Sequence, residues 1–300
     1  MRKTDKTPYI FIFPFFIGFC LFNIFPIIYT FFISFTNSNG INSFDFVGAS
    51  NYAKTLFRDQ YFYKSLYNTV VIALMYIPAS IIFAFLISLL INNKYTYFKK
   101  TFQVIAFLPY IIPSVCIAFI FAMLFDTKVG YINQIFSFFG LKRIDWLGFP
   151  LTARFVVSLM LFWKNIGFNI LIISSSLSSV PQKVLEAAEL DGAGSFKKLV
   201  YIVLPTLKPI IEFLLLINFV NAFCLIEEPL LLFSGWMSGI SIVGGPQRSV
   251  LTTLWYLYDK AYGTTSEIGV AGAIAALQFT IIILIVVLYS KIFKRKRDTL

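Results

Sequence analysis

The chain has 300 residues, of which 58% are hydrophobic, 19% are aromatic and 13% are charged. Soluble domains carry charge on about a quarter of their residues, so this composition excludes an ordinary soluble protein. The formal net charge is +11, but the lysines and arginines cluster in the connections between apolar runs, which indicates orientation in a bilayer rather than nucleic-acid binding.

Six apolar runs are long enough to cross a bilayer, whose hydrocarbon core of about 30 Å requires about 20 helical residues. In chain order they are Tyr9–Phe35, Asn68–Ile91, Thr101–Phe125, Ala153–Ser175, Pro209–Phe233 and Gly269–Ile292. The sequence lacks the ten-residue blocks of alternating hydrophobicity that mark a membrane β-barrel. It therefore predicts an all-α fold, a polytopic membrane helical bundle with six transmembrane helices.

The first run follows three cations, Arg2, Lys3 and Lys6, as the core of a secretory signal would. Its apolar length of about 27 residues exceeds that of a signal core, so we expect a retained helix. Pro14 and Pro26 lie inside this run and predict a kink.

The distribution of basic residues predicts which connections face the cytoplasm. Fifteen of the 25 lysines and arginines lie at the two termini and in the second and fourth connections, and nine lie in or beside the other three. By the positive-inside rule both termini are cytoplasmic. The external loops are then Thr36–Tyr67, Asp126–Thr152 and Ser234–Glu267. The predicted parts of the chain are an N-terminal helix with an external loop (residues 1–66), a transmembrane core (residues 67–292) and a basic cytoplasmic tail (residues 293–300).

Polar side chains in the fourth run suggest a solute pathway, because such groups are costly in a bilayer and usually face a cavity or a partner. Asn165 and Asn169 are four residues apart and share a helix face, with Phe168 between them. Amides bond hydroxyl groups and an aromatic ring stacks on a pyranose, so this face suits a sugar.

The fifth run adds further polar groups. On a helical wheel Asn218, Asn221 and Glu228 fall within about 80° of one another, whereas Glu227 points elsewhere. Lys164, near the middle of the fourth run, requires a counter-charge, and Glu227 or Glu228 is near it in depth. The candidate pathway residues are Lys164, Asn165, Phe168, Asn169, Asn218, Asn221 and Glu228. The alternative is that they join helices to one another or contact a second subunit.

A polar, alanine-rich segment at about residues 178–206 separates the fourth and fifth runs, on the predicted cytoplasmic side. Pro181 suits the first turn of a helix that Gly192 ends. Ser195 can cap a second short helix, which Pro205 closes. An ordinary solvated loop with helical propensity is the alternative.

This segment carries the most specific motif of the chain. Glu186-Ala187-Ala188, then Gly192, then Ile202-x-Leu204-Pro205 resemble the EAA loop of binding-protein-dependent ABC importer permeases of type I. Other features resemble the carbohydrate-type branch of that family. They are Phe46 to Tyr52, Phe107-Leu-Pro109 with Pro113, Trp146-Leu with Pro150, Trp163, Gly167-Phe168, Val180-Pro181, Asp191-Gly192-Ala193 and Gly244-Gly245-Pro246.

The resemblance implies an assembly in the cytoplasmic membrane of a bacterium. Two permease subunits, expected to form a heterodimer, would combine with two cytoplasmic ATPases and an external solute-binding protein, without nucleic acid. The chain has no Gly-x4-Gly-Lys-Ser/Thr phosphate loop. We therefore expect it to bind no cofactor or metal and to be no enzyme by itself, with ATP and Mg²⁺ bound by the partner ATPase.

The resemblance also implies roles for individual residues. The alanine-rich helix would be the coupling helix that docks into a groove on the ATPase. The residues expected to couple are Glu186, Ala187, Ala188, Glu189, Asp191, Gly192 and Pro205. Gly244, Gly245 and Pro246 are candidates for contact with the binding protein, with an ordinary connecting loop as the alternative.

The expected function is import of a sugar or oligosaccharide. A permease for a polyol, glycerol phosphate or charged sugar is the nearest alternative, and Lys164 leaves an anionic solute open. A secondary carrier coupled to protons or sodium is a different class. A membrane-embedded enzyme is disfavoured, because the chain has no histidine and no paired acidic motif of metal-binding type.

Overall fold

The computed structural model describes residues 7–40, 44–93, 96–233, 243–264 and 266–297. The helices are α1 (Thr7–Phe19), α2 (Phe25–Ser34), α3 (Ser50–Phe57), α4 (Gln60–Ile91), α5 (Lys99–Ile111), α6 (Ser114–Leu124), α7 (Tyr131–Phe138), α8 (Pro150–Ser178), α9 (Gln182–Leu190), α10 (Ser195–Lys198), α11 (Leu204–Phe223), α12 (Glu227–Leu232), α13 (Thr253–Tyr262) and α14 (Ile268–Arg297). Within these ranges the backbone forms no strand, apart from an isolated bridge between Thr36 and Phe46. The predicted all-α fold is confirmed.

Some residues used to predict the orientation cannot be placed. Arg2, Lys3, Lys6 and Lys94 lie outside the described residues, as do residues 234–242 of the predicted third external loop.

Five helical stretches of the described chain are long and apolar enough to cross a membrane. They are Phe11–Ser34, Gln60–Ile91, Pro150–Ser178, Ser195–Phe223 and Ile268–Lys291. A sixth is obtained if α5 and α6, which are bent by 90° at their junction, form one broken span. The structure is therefore compatible with the six predicted spans, but the second begins earlier than predicted, at Gln60, and the third and fifth differ further.

The third predicted span is not one helix. Ile112 has an extended backbone, with φ −63° and ψ 132°, because the following Pro113 disfavours the helical conformation in the residue before it. The helix resumes at Ser114. A long apolar run predicts a crossing by its length and does not reveal such a break.

The fifth span lies nearer the N-terminus than predicted. It runs from Ser195 to Phe223, and a separate short helix, α12, follows after a break at residues 224–226. The prediction that Pro205 closes a helix is wrong, since Pro205 lies within this continuous stretch. The predicted boundary at Phe233 is likewise wrong.

Two π-helical turns each precede a proline within a helical stretch. In Leu199–Val203 the turn ends with the N–H of Leu204 bonded to the carbonyl of Leu199, and Pro205 follows directly. The turn Cys20–Ile24 precedes Pro26 in the same way. A proline has no N–H to donate and crowds the carbonyl four residues earlier. A wider turn at that point lets the helix continue.

The chain divides into two compact units, Met1–Tyr63 with Tyr256–Val287, and Lys64–Trp255 with Leu288–Leu300. In the first unit Asn51 joins α3 to the C-terminal end of α2. Its amide donates to the carbonyls of Ser34 and Thr36 at 2.9 and 2.8 Å. The Tyr52 hydroxyl lies 2.6 Å from the Ser34 hydroxyl.

A carboxylate between two lysines also stabilises the first unit. Glu267, which precedes α14, is 2.8 Å from Lys54 Nζ and 2.6 Å from Lys260 Nζ. Partial burial raises the pKa of Glu267, but the hydrogen bonds and charges of Lys260 and Lys54 outweigh it, so the pKa is held below its usual value. The ionised form is therefore stabilised by folding.

The substitution Glu267→Gln should lower the melting temperature of the purified protein at pH 7. A carboxyl group with a lowered pKa stabilises the fold above its unfolded pKa of about 4.3, and this stabilisation is lost as the pH falls through the folded value. Because the site is partly exposed, we expect an effect of up to about 1 kcal/mol. Melting curves at pH 7 and below pH 4 check this, with the exposed Asp45→Asn as control. A difference that stays constant between the two pH values would contradict it.

In the second unit α5 packs backbone against backbone on α8. A Cβ on Gly167 would lie 2.0 Å from the carbonyl oxygen of Ala106, so a glycine is required at this crossing. Nearby, the Gln103 amide donates to the Ser174 hydroxyl at 2.6 Å. The close approach brings the broken third span against the middle of α8.

Gly167→Ala should destabilise the protein by about 1–3 kcal/mol, because the added methyl group meets main-chain atoms that cannot rotate away. Thermal unfolding in detergent measures the loss. Gly18→Ala in α1 is the matched control, since a Cβ there meets nothing within 4 Å. Equal melting temperatures for the two variants would refute the close crossing.

Candidate functional site

A cavity of about 440 Å³ lies in the second unit, where α8 faces the break between α11 and α12. Two phenols, two amides, one ammonium and two carboxylates supply its polar lining. They belong to Tyr76, Tyr110, Asn165, Asn221, Lys164, Glu227 and Glu228. Leu161, Cys224, Leu225 and Ile226 complete the wall.

A buried ion pair stands at the centre of this lining. Lys164 Nζ is 2.5 Å from Glu228 Oε1, and the two side chains are 17% and 10% exposed. Lys164 also donates to the Ser114 hydroxyl at 2.8 Å. That hydroxyl in turn donates to Glu227 Oε2 at 2.8 Å. One ammonium and two carboxylates are thus connected through a single serine.

Two helix breaks bring these groups together. Ser114 is the first residue of α6, after the break at Pro113. Glu227 and Glu228 are the first two residues of α12, after the break at residues 224–226. Carboxylates are favoured in the first turn of a helix, where backbone N–H groups lack partners. The polar groups therefore enter an apolar region at the points where the backbone is interrupted.

The segment after α8 forms two helical pieces joined by a tight turn. Gly192 has φ +77°, a conformation that favours glycine. Its N–H bonds to the carbonyl of Glu189 at 3.0 Å, and that of Ala193 to the carbonyl of Ala188 at 2.9 Å. Lys198 lies 3.0 Å from the Glu189 carboxylate. These contacts fix the direction of α9 against the following helix.

The surface of α9 carries side chains with little or no cover. Glu186 and Ala187 are exposed, and Leu190 is 90% exposed. A small alanine beside an exposed leucine leaves room for a second surface to approach the helix backbone.

The turn at Gly244 and Gly245 is tightly packed. The two glycines have φ +78° and +68°. A Cβ on Gly244 would lie 2.7 Å from Leu251 Cβ, and one on Gly245 would lie 2.6 Å from Val250 Cγ2. Glycine is required here by both conformation and space.

Hydrogen bonds connect this turn to α4 and α8. Arg154 donates to the Ser249 carbonyl at 2.9 Å and to Asn68 Oδ1 at 2.8 Å. The Asn68 amide donates to the carbonyls of Arg248 and Leu251 at 2.8 and 3.1 Å. The turn is therefore held by two long helices of the second unit.

Residues 77–298 match the model of a family described as binding-protein-dependent transport system inner membrane component. The chain belongs to this family. It is 31% identical over 284 residues to an arabinooligosaccharide transport system permease protein of Bacillus subtilis (strain 168), and the match covers 94% of this chain and 87% of that one.

Solved structures share the fold of this inner membrane component. A crystal structure of a bacterial ABC transporter involved in the import of the acidic polysaccharide alginate has a TM-score of 0.82 at 22% identity, covering 98% of this chain and 96% of that one. A second structure, of a bacterial alginate ABC transporter in complex with an alginate pentasaccharide-bound periplasmic protein, has a TM-score of 0.80, also at 22% identity, with the same coverage. The prediction that the chain is a permease of a type I ABC importer is confirmed.

The structure brings part of the predicted pathway of this permease together. Lys164, Asn165, Asn221 and Glu228 line the cavity. Phe168 does not line the cavity itself. It stacks on the lining residue Tyr110, with ring centroids 5.3 Å apart.

Three predicted pathway residues, Phe168, Asn169 and Asn218, lie outside the cavity lining. The amide of Asn218 donates to Asn169 Oδ1 at 3.1 Å, and the amide of Asn169 donates to the Ser80 hydroxyl at 3.1 Å. Both asparagines are buried. Their observed contacts join α4, α8 and α11, and their role in a pathway stays a prediction.

Several lining residues were not predicted. The helical wheel that set Glu227 apart assumed a helix continuing to Phe233, but α11 ends at Phe223, and Glu227 lines the same cavity as Glu228. Tyr76 and Tyr110 carry no signal in the sequence, because tyrosines are common throughout this chain. For Tyr110 the nearby Pro113 was an indication of irregular backbone.

Glu228→Gln should destabilise this permease by about 3–5 kcal/mol, because it leaves the Lys164 ammonium buried without its counter-charge. Adding Lys164→Met should restore most of the lost stability. Melting temperatures of the two single variants and the double variant measure the coupling. Glu189→Gln, which removes a 72% exposed carboxylate that lies 3.0 Å from Lys198, is the control. Additive single effects would show that the pair is not coupled.

Proposed function

We propose that the chain is a permease subunit of an ATP-driven, binding-protein-dependent carbohydrate importer and forms half of its translocation pathway. The observation that carries this proposal is the polar cavity at the two helix breaks. Its volume of about 440 Å³ lies within the usual range of small-molecule sites, about 300–1,000 Å³. The arabinooligosaccharide permease among its relatives supports a sugar as the solute.

The lining chemistry suits sugar hydroxyls, which both donate and accept hydrogen bonds. The Asn165 amide donates to the Leu161 carbonyl at 2.9 Å, which leaves its oxygen as an acceptor. Asn221 offers a second amide. Tyr110, which stacks on Phe168, brings an aromatic ring to the cavity wall, and sugars pack against aromatic side chains. Weak, multiple contacts of this kind allow a solute to enter and leave.

For the energy source, we propose that α9 is the coupling helix. Its exposed Glu186, Ala187 and Leu190 form a surface that fits into a groove of a cytoplasmic ATPase. Glu186 pairs with a basic residue of that ATPase, and the turn at Gly192 sets the docking angle. ATP and Mg²⁺ are bound by the ATPase.

The complete importer then contains a second homologous permease, two ATPases and an external solute-binding protein. The termini of this chain face the cytoplasm of a bacterium. Closure of the ATPases moves the coupling helices and switches the bundles between inward-open and outward-open states as rigid bodies. The turn from Gly244 to Pro246 receives the binding protein. The hydrogen bonds of Arg154 and Asn68 support this, since they hold residues 248 and 249, just after that turn, to α4 and α8.

Gly192→Val should reduce ATP turnover stimulated by loaded binding protein several-fold, while membrane insertion is unchanged. A left-handed backbone conformation costs a non-glycine residue about 1–2 kcal/mol, and a β-branched side chain more, so the turn changes and α9 docks at another angle. Gly192→Asn should retain more activity because asparagine tolerates this conformation. The measurement uses the importer reconstituted with its partners.

Gly194→Ala is the matched control for this experiment. Gly194 lies two residues away with φ −65° and open space around its Cβ position, so the substitution should leave turnover unchanged. Normal coupling in Gly192→Val would refute the assignment of α9. Uptake that follows an ion gradient and is independent of ATP would instead indicate a secondary carrier.

A further inference from the structure

The charged groups of the cavity do not balance. Lys164 contributes one positive charge, and Glu227 and Glu228 contribute two negative charges. Glu228 lies 2.5 Å from Lys164 Nζ and neutralises it. Across the described part of the chain, no lysine or arginine nitrogen lies within 4 Å of the Glu227 carboxylate. One exposed carboxylate therefore remains uncompensated at the cavity wall.

Lys164 is poorly placed to receive an anionic solute. Its ammonium group already donates to Glu228 at 2.5 Å and to Ser114 at 2.8 Å. A carboxylate or sulfonate on a solute would have to displace Glu228, which is only 10% exposed on its side chain. It would then also lie close to the charge of Glu227, and like charges repel.

A cationic group meets the opposite situation. The Glu227 carboxylate is exposed, and its Oε2 accepts a hydrogen bond from the Ser114 hydroxyl at 2.8 Å, which orients it. A carboxylate has two oxygens and several lone pairs, so it can accept further bonds. Tyr76 and Tyr110 line the same cavity and bring no positive charge to it.

We propose that this cavity excludes anionic sugars, accepts neutral sugars and binds sugars with a protonated amine most tightly, with Glu227 as the residue that determines this preference. The proposal rests on the proposed function and names the solute class of the same site. It distinguishes this chain from the transporter of the acidic polysaccharide alginate, whose fold it shares. The Lys164–Glu228 pair is here a structural element and not an anion receptor.

The test measures sugar binding to the assembled importer in lipid nanodiscs without the binding protein, whose own selectivity would otherwise dominate. The probes are β-1,4-linked disaccharides of glucose, glucosamine and glucuronate, which have similar size and differ in charge. Relative affinities come from competition in saturation-transfer NMR. The expected order is glucosamine, then glucose, then glucuronate, with glucuronate at least about tenfold weaker than glucosamine, since opposite and like charges both contribute.

Glu227→Gln should reduce the ratio of glucosamine to glucose affinity by about fivefold, the upper range for a partly solvated charge pair. Asp45→Asn removes an equal charge from an exposed position of the other unit and should leave that ratio unchanged. An unchanged ratio in Glu227→Gln would overturn the role of this residue.

The rival arrangement, with Lys164 as an anion receptor, makes a different prediction. Glucuronate would then bind the unaltered importer at least as tightly as glucose and would lose affinity in Lys164→Met. The double variant Lys164→Met/Glu228→Gln, which removes both charges, makes the same comparison if the single variant fails to fold. Glucuronate binding as tight as that of glucose, or a loss of glucuronate affinity on removal of Lys164, overturns the proposal.

Asn165→Ala separates failure of this proposal from failure of the proposed function. If the cavity binds sugars, this variant weakens both glucose and glucosamine, whatever their order. Glucuronate bound tightly at an Asn165-dependent site would overturn the charge preference alone. Absence of binding by all three sugars, or binding unaffected by Asn165→Ala, would overturn the cavity as a sugar site and this inference with it.

Discussion

The candidate site of the second unit depends on the ion pair between Lys164 and Glu228. A charged side chain in the middle of a membrane helix is costly unless it has a partner, and removing one partner of a buried pair costs about 3–5 kcal/mol. The pair forms where two helices begin, since Glu228 is the second residue of α12 and Ser114 is the first residue of α6. The two breaks and the ion pair therefore depend on each other.

The close crossing at Gly167 supports the same arrangement. Since the carbonyl of Ala106 would meet any side chain at this position, α5 approaches α8 one turn beyond Lys164. That approach brings Ser114, at the break within this span, to 2.8 Å from the Lys164 ammonium. The glycine crossing at Gly167 and the ion pair of Lys164 thus lie on neighbouring turns of α8.

Composition and apolar length were sufficient to predict an all-α membrane fold, because both depend on averages over many residues. The breaks were harder to predict, since they depend on single residues. Pro113 interrupts a helix, whereas Pro205, which follows a π-helical turn, and Pro109, which does not, leave their helices continuous. The backbone conformation around each proline decides the outcome, and the residue type alone does not reveal it.

The candidate site likewise contains residues that could be predicted from the sequence and residues that could not. Lys164 and its need for a counter-charge were evident from the sequence, because an isolated lysine in an apolar run is conspicuous. The helical wheel failed beyond Phe223, so Glu227 was set apart although it lines the cavity. Asn169 and Asn218 share a polar character with Asn165, but only tertiary packing shows that they bond each other while Asn165 faces the cavity.

The uninterrupted stretch from Ser195 to Phe223 has a mechanical consequence. At 1.5 Å per residue its 29 residues form a rod of roughly 44 Å, with the α9 turn at one end and the cavity break at the other. A tilt of about 5° about one end displaces the other by roughly 4 Å, more than the length of the Lys164–Glu228 contact. A small rotation at the surface is therefore large enough, by leverage alone, to remodel the ion pair.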